Sequence, residues 1–90
     1  MTIQEEKGRL VALDEQGKQA GELLISEDGD TITIEHTRVD GEHKGQGIAG
    51  KLVLSSVEKA RREGKKIVAV CPFAKKEFAK KPEYQDVLKK

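Results

Sequence analysis

Few side chains in this sequence are equipped for covalent or acid–base chemistry. Cys71 is the only cysteine, and so the only thiol nucleophile. His36 and His43 are the only histidines, the residue type whose ordinary pKa near ~6.5 suits proton transfer close to neutral pH. Between the histidines and Cys71 lies Lys44-Gly45-Gln46-Gly47-Ile48-Ala49-Gly50, with three glycines in six residues. That density is costly unless the backbone must turn sharply or lie against another group. Where such a stretch opens a helix, its unpaired N–H groups and partial positive charge form a cradle for phosphate. A tight connection whose glycines only let helix and sheet approach is the other reading of the same residues.

Two familiar phosphate-binding patterns match in part and fail on chemistry. Gly45-x-Gly47-x-x-Gly50 satisfies a dinucleotide fingerprint, which also needs an acid roughly 20 residues onward to hold the ribose. Here the next strand ends in Cys71-Pro72, and the first acid after it is Glu77, inside an expected helix. Gly45-x-x-x-x-Gly50-Lys51 begins a Walker A loop, but Leu52 stands where a Mg²⁺-linked hydroxyl is required.

The elements that position these residues follow from periodicity. Leu10 to Leu13 and Ala20 to Ser26 read as strands, and Asp28-Gly29 as a type I′ hairpin turn. Thr31 to Val39 is the clearest strand, β-branched at six of nine positions. Strict alternation places Ile32, Ile34 and His36 on one face and Thr31, Thr33, Glu35, Thr37 and Val39 on the other. From Gly47 to Gly64 the period becomes helical, with Ile48, Ala49, Leu52, Val53, Val57 and Ala60 in one stripe and Gly64 as C-terminal cap. Lys66 to Val70 reads as a buried strand, Phe73 to Ala79 as a short helix with Pro72 at its first turn, and Pro82 to Leu88 as a second helical segment. The expected class is α/β (α+β): one domain over residues 1–90, an antiparallel three-stranded meander, a βαβ unit, then short C-terminal helices. A right-handed crossover makes strands 31–39 and 66–70 parallel, and a ligand belongs at their carboxyl ends.

Composition narrows the function. The longest apolar run, Ile67 to Cys71, is five residues, against ~20 for a membrane span. The opening Met-Thr-Ile-Gln-Glu-Glu has no signal-peptide pattern, so a cytoplasmic location is expected, and one cysteine excludes an internal disulfide. No metal site is expected. Net charge is +1, which offers no global reason to expect nucleic acid. It conceals a split: residues 1–43 carry 4 basic and 11 acidic side chains, residues 44–90 carry 13 and 5. Such asymmetry can steer an anionic ligand; a solvated lysine-rich surface is the plainer reading.

Four ordered blocks carry a resemblance that covers nearly the whole chain: Glu35-His36-Thr37-Arg38-Val39, Gly45-Gln46-Gly47-Ile48-Ala49, Cys71-Pro72-Phe73 and Pro82-Glu83-Tyr84. They resemble the compact, cysteine-containing subgroup of the GCN5-related N-acetyltransferase (GNAT) superfamily. The resemblance implies a minimal acyl-CoA N-acyltransferase fold that binds acetyl-CoA and CoA. Pyrophosphate would lie over the N–H groups of Gly45, Gln46, Gly47, Ile48, Ala49 and Gly50, with Lys44 as a mobile countercharge. The pantetheine arm would run between the strand ends, past Val39, Cys71, Pro72 and Phe73. It further implies that Cys71 sits by the acetyl group and can carry it as an acetyl-cysteine before transfer to an amine. Lys81 stands where that subgroup commonly has histidine, which weakens any acid–base role for this segment.

The residues alone leave alternatives open. Cys71 is either the acyl carrier or inert packing, and His36 either the general base or a packing histidine. Tyr84 and Phe73 read as packing near the end of the sheet. The leading function is acetyl-CoA-dependent N-acetyltransfer to an unidentified amine, with an open site suited to a protein or other macromolecular acceptor, in a monomer or weak homodimer. A CoA or acyl-CoA binding module with little turnover, or an interaction domain without ligand, stands against it.

Overall fold

A computed structural model of the chain describes residues 2–41, 45 and 47–89. Its elements are β1 (Thr2–Glu6), β2 (Arg9–Leu13), β3 (Gln19–Asp28), β4 (Thr31–Val39), α1 (Ile48–Glu63), β5 (Lys66–Ala69), α2 (Pro72–Lys80) and a 3-10 helix (Pro82–Val87). The five strands form one sheet in the order β1-β2-β3-β4-β5. The first four are antiparallel, and β5 lies parallel to β4. The expected α/β arrangement of meander and βαβ unit is therefore present, with a correction: the meander has four strands rather than three. The added strand, Thr-Ile-Gln-Glu-Glu, is exposed at four of its five positions, so no apolar alternation announced it. Pairing with β2 and ion pairs from α1 hold it, Arg62 to Glu5 at 2.6 Å and Lys59 to Glu5 at 3.3 Å.

The β3–β4 hairpin also differs from expectation. Asp28 pairs with Thr31, so the loop residues are Gly29 and Asp30. Only Gly29 has positive φ, at 60°, which excludes the type I′ form with two such residues.

The core lies between the sheet and α1. Leu10, Leu23, Ile32, Ile34, Leu52, Val53, Val57 and Ile67 have no exposed surface; full burial of such a side chain contributes about 1.5–3 kcal/mol. Gly21 lets α1 close on β3. A Cβ there would lie 2.9 Å from the Arg38 carbonyl oxygen and 3.1 Å from Ile48 Cγ2. Gly64 ends α1 in the left-handed region, its N–H donating to the Ala60 and Arg61 carbonyls. Much of the charge split is consumed here: Lys59, Arg62 and Lys65 of the basic half pair with Glu5 and Glu27 of the acidic half. Arg61 forks onto Asp86 at 2.9 Å and ties the 3-10 helix to α1. Tyr84 packs edge-on against Phe78, with ring centroids 5.7 Å apart. Phe73, expected beside Tyr84, is instead 36% exposed. Among the described residues no helix is long and apolar enough to cross a membrane, and no cluster of three or more His, Cys, Asp or Glu could hold a metal ion.

Candidate active site

The site is made by two strands that stop pairing. β4 and β5 run in register from Thr31–Lys66 to Ile34–Ala69. The N–H groups of Val70 and Cys71 then both donate to the Ile34 carbonyl, at 3.0 and 3.1 Å, and the ladder ends. β4 continues to Val39 while the chain after β5 turns into α2. A V opens between them.

A bulge in β4 sits at the fork. Leu24 pairs with His36 and Ile25 with Ile34, leaving Glu35 as an extra residue. A one-residue shift exchanges the faces of everything beyond it. The expected placement of His36 beside Ile32 and Ile34 is thereby corrected. Thr37 and Val39 take the α1 side, opposite Leu23 and Gly21, and His36 turns outward, exposed beside half-buried Leu24. Backbone groups alternate as well. The Asp40 N–H donates to the Ala20 carbonyl at 2.8 Å, so His36 and Arg38 spend their backbone groups on β3. Those of Thr37 and Val39 face the V.

Cys71 stands at the base of this opening. It is the N-cap residue of α2, with Pro72 in the first helical turn and Phe73 following. Its Sγ lies 3.4 Å from Thr37 Oγ1, and the residue is 6% exposed. Burial alone pushes the thiol up. Hydrogen bonding from the Thr37 hydroxyl and from the backbone N–H groups of Ala74, Phe73 and Thr37 outweighs it and holds the thiol below its ordinary value. His36 points to the other face of β4, so the structure does not bring the two catalytic candidates together.

The glycine loop reaches the same end of the sheet. Gly45 and Gly47 have φ of 85° and 72°, and an added Cβ would meet nothing at either; backbone conformation, not space, demands glycine there. Gly47 caps α1 with no side-chain hydrogen bond, and the first helical bond is the Lys51 N–H to its carbonyl at 3.1 Å. The N–H groups of Ile48, Ala49 and Gly50 therefore open toward the V without a backbone partner among the described residues. Three first-turn donors beside two positive-φ glycines make a stretch of the kind that can receive an anion. The Ile48 side chain is only 1% exposed and serves the core, leaving its backbone for any ligand. Lys44, Gln46, His43 and Glu42 lie outside the described residues.

Two residues that the periodicity did not single out belong to this region. Thr37 escaped because an unbroken alternation sends it to the wrong face. Glu77 is 9% exposed, its carboxylate has no hydrogen bond or ion pair among the described residues, and Oε1 lies 3.4 Å from where a Cβ on Gly50 would stand. Its signal was its place between Ala74 and Phe78 on the buried stripe of α2.

No curated protein matches the chain. The family model for GCN5-related N-acetyl-transferase matches residues 9–87. Among solved structures, a GCN5-like protein from Staphylococcus aureus is 35% identical, covers 98% of this chain and 87% of its own, and superposes with a TM-score of 0.78. The GNAT family N-acetyltransferase YhbS from Escherichia coli, solved in complex with CoA, is 28% identical over 68% of this chain and 38% of that one, with a TM-score of 0.61. An IAA acetyltransferase from Bacillus cereus is 27% identical over 68% and 41%, with a TM-score of 0.59. The chain thus spans most of the Staphylococcus protein and less than half of the two larger enzymes. With nearly all of its length matched and the strand fork and glycine-capped helix at one end of the sheet, the chain belongs to the GCN5-related N-acetyl-transferase family.

Proposed function

We propose that this protein transfers an acetyl group from acetyl-CoA to an amine on a peptide or other macromolecule. The carrying observation is the coincidence at one end of the sheet of the open β4–β5 fork, the first-turn N–H groups of α1, which have no backbone partner among the described residues, and Cys71. In this reading the N–H groups of Ile48, Ala49 and Gly50 hold pyrophosphate, and the Thr37 carbonyl and the backbone groups of Val39 pair with the pantetheine amides. Pro72 and Phe73 wall the mouth. Acetyl-CoA supplies a thioester whose leaving group is a thiolate.

The Cys71 thiolate attacks that thioester carbonyl; the new C–S bond forms as the bond to CoA sulfur breaks, and CoA leaves as its thiolate. An unprotonated amine then attacks the acetyl-cysteine, an N–C bond replaces the C–S bond, Cys71 departs as thiolate, and the surplus proton on nitrogen passes to water. The donors that lower the thiol's pKa also stabilise it as a leaving group. His36 is exposed on the other face of β4 from Thr37 and Cys71, so in this reading any part it takes as base runs through water and not by contact with Cys71.

The shielding of Cys71 favours a second reading, direct attack of the amine on acetyl-CoA with Cys71 as a wall of the site. Intact-mass measurement after incubation with acetyl-CoA separates the two. A 42-dalton adduct (about the mass of one acetyl group replacing hydrogen) is expected on the native protein and absent from Cys71→Ala; equal labelling removes Cys71 from the path. Calorimetry should show binding of acetyl-CoA and CoA, with NADH and ATP as controls. Binding of either control without CoA would overturn the function itself. In His36→Gln, an unchanged pH–rate profile would remove His36 as the base.

A further inference from the structure

The outer edge of β5 is half paired. The N–H groups of Lys66 and Val70 donate inward, to the Asp30 and Ile34 carbonyls, so alternation turns the backbone groups of Ile67 and Ala69 outward. Ile67 has a partner there: its carbonyl accepts from the Lys89 N–H at 2.8 Å, and Leu88 bridges it in parallel. Leu88 and Lys89 thus cover this point of the edge with one isolated bridge. One step further along, the Ala69 N–H and carbonyl have no partner among the described residues. Beside them runs a groove of about 330 Å³, floored by Val68, Ala69, Phe78 and Leu88 and rimmed by Lys75 and Lys89. Exposed Val70 and Phe73, at 53% and 36%, carry the apolar surface on from the groove to the mouth at Cys71.

The rim lysines differ from those on α1. Lys59 and Lys65 each pair with carboxylates. Among the described residues neither Lys75 nor Lys89 has a carboxylate partner, and Lys89 Nζ donates to the Thr31 hydroxyl at 3.0 Å. An open strand edge, an apolar groove and two lysines without a carboxylate partner among the described residues together describe one ligand chemistry. We propose that this edge docks an extended acidic peptide by strand addition at Ala69, seating one apolar side chain over Phe78 and placing carboxylates at Lys75 and Lys89. A second copy of the chain fits poorly, because pairing two β5 edges about a two-fold axis brings both lysine rims together. The last part of the inference, that the docked segment presents its amine at the Cys71 mouth, rests on the acetyltransferase reading; the docking itself does not.

The test is a titration of the ¹⁵N-labelled protein, without acetyl-CoA, by an eight-residue peptide alternating valine and glutamate with a free amino terminus. The Ala69 amide should shift, and its hydrogen exchange should slow at least about fivefold at saturation, since it gains a backbone acceptor. The same peptide methylated on alternate backbone nitrogens, and a valine–lysine peptide, should not reproduce this. The double variant Lys75→Glu, Lys89→Glu changes exposed side chains only and should weaken binding about tenfold at low salt, the size expected for reversing two screened pairs. An unmoved Ala69 amide, equal binding of the methylated peptide, or self-association through this edge would overturn the docking. Addition of acetyl-CoA then tests delivery: a docked peptide should gain an acetyl group. Docking without acetylation by a protein that does acetylate other amines overturns delivery alone; absence of acetylation with every amine refutes the enzymatic reading and leaves docking standing.

Discussion

Replacing Thr37 with valine isolates the chemistry of the fork. The side chain keeps its shape and loses the hydroxyl that stands 3.4 Å from Cys71 Sγ. In the thiolate form that hydroxyl donates to sulfur, and hydrogen bonds to charged groups are worth about 1.5–3 kcal/mol. Here the donor is long and shares the sulfur with the N–H groups of Ala74, Phe73 and Thr37 itself. The low end of that range applies, and since 1.36 kcal/mol is one pKa unit, the thiol should rise by about one unit. The assay is the rate of iodoacetamide alkylation against pH, read by intact mass, with the midpoint reporting the thiolate. Stability carries the same information. A depressed thiol pKa in the folded state adds stability that is full above the unfolded thiol's value near ~8.5 and is lost as pH falls through the folded value. In Thr37→Val this alkaline gain should shrink. A folded Thr37→Val protein whose alkylation midpoint stays within about 0.3 units of the native one, well under the shift expected from one lost donor, refutes the assignment of Thr37 as the group that activates Cys71.

Other outcomes follow from packing and charge. Gly21→Ala should destabilise by about 1–3 kcal/mol in urea titration, because its Cβ would meet the Arg38 carbonyl at 2.9 Å and a backbone atom cannot swing aside; an unchanged midpoint would mean that β3 and β4 separate easily there. Glu77→Leu should raise the melting temperature, since its buried carboxylate has no partner among the described residues and an unsatisfied buried polar group costs about 1–3 kcal/mol. A lower melting temperature would show that the carboxylate has a structural partner. Glu5 is held below the ordinary carboxylate range by its hydrogen bond to Arg62, against some desolvation, with Lys59 assisting. Its contribution is therefore present above the unfolded carboxylate value and lost as pH falls through the lower folded one. Amides of β1 should exchange faster in that acidic window, and also at about 1 M salt, where exposed pairs are screened; exchange indifferent to both would show that backbone pairing alone retains β1.

Local patterns were legible wherever one rule governed a segment. The stripe from Ile48 to Ala60, the glycines at 47 and 64 and the β-branched run at Ile67–Val68 each state their element, and Cys71-Pro72 marks where a strand must yield to a helix. The glycine loop is legible at the start of α1, since two of its glycines need positive φ. Legibility failed where pairing with a neighbour decides the outcome. β1 has no apolar face of its own and exists because β2 and α1 hold it. The bulge at Glu35 is set by the β3 register, and no glycine or proline announces it, so Thr37 and His36 were assigned to each other's faces. Glu77 occupies a core position in α2 that composition alone assigns to a polar surface.

The irregularity at Glu35 divides β4 into two mechanical territories. Below it, Ile32 and Ile34 are locked between α1 and two hydrogen-bonded neighbours, and substitutions there tax the whole molecule. Above it the strand keeps only one neighbour in the sheet, so Thr37 and Arg38 can change with less consequence for folding. A chain this small can thus let selection retune its mouth without renegotiating its foundation.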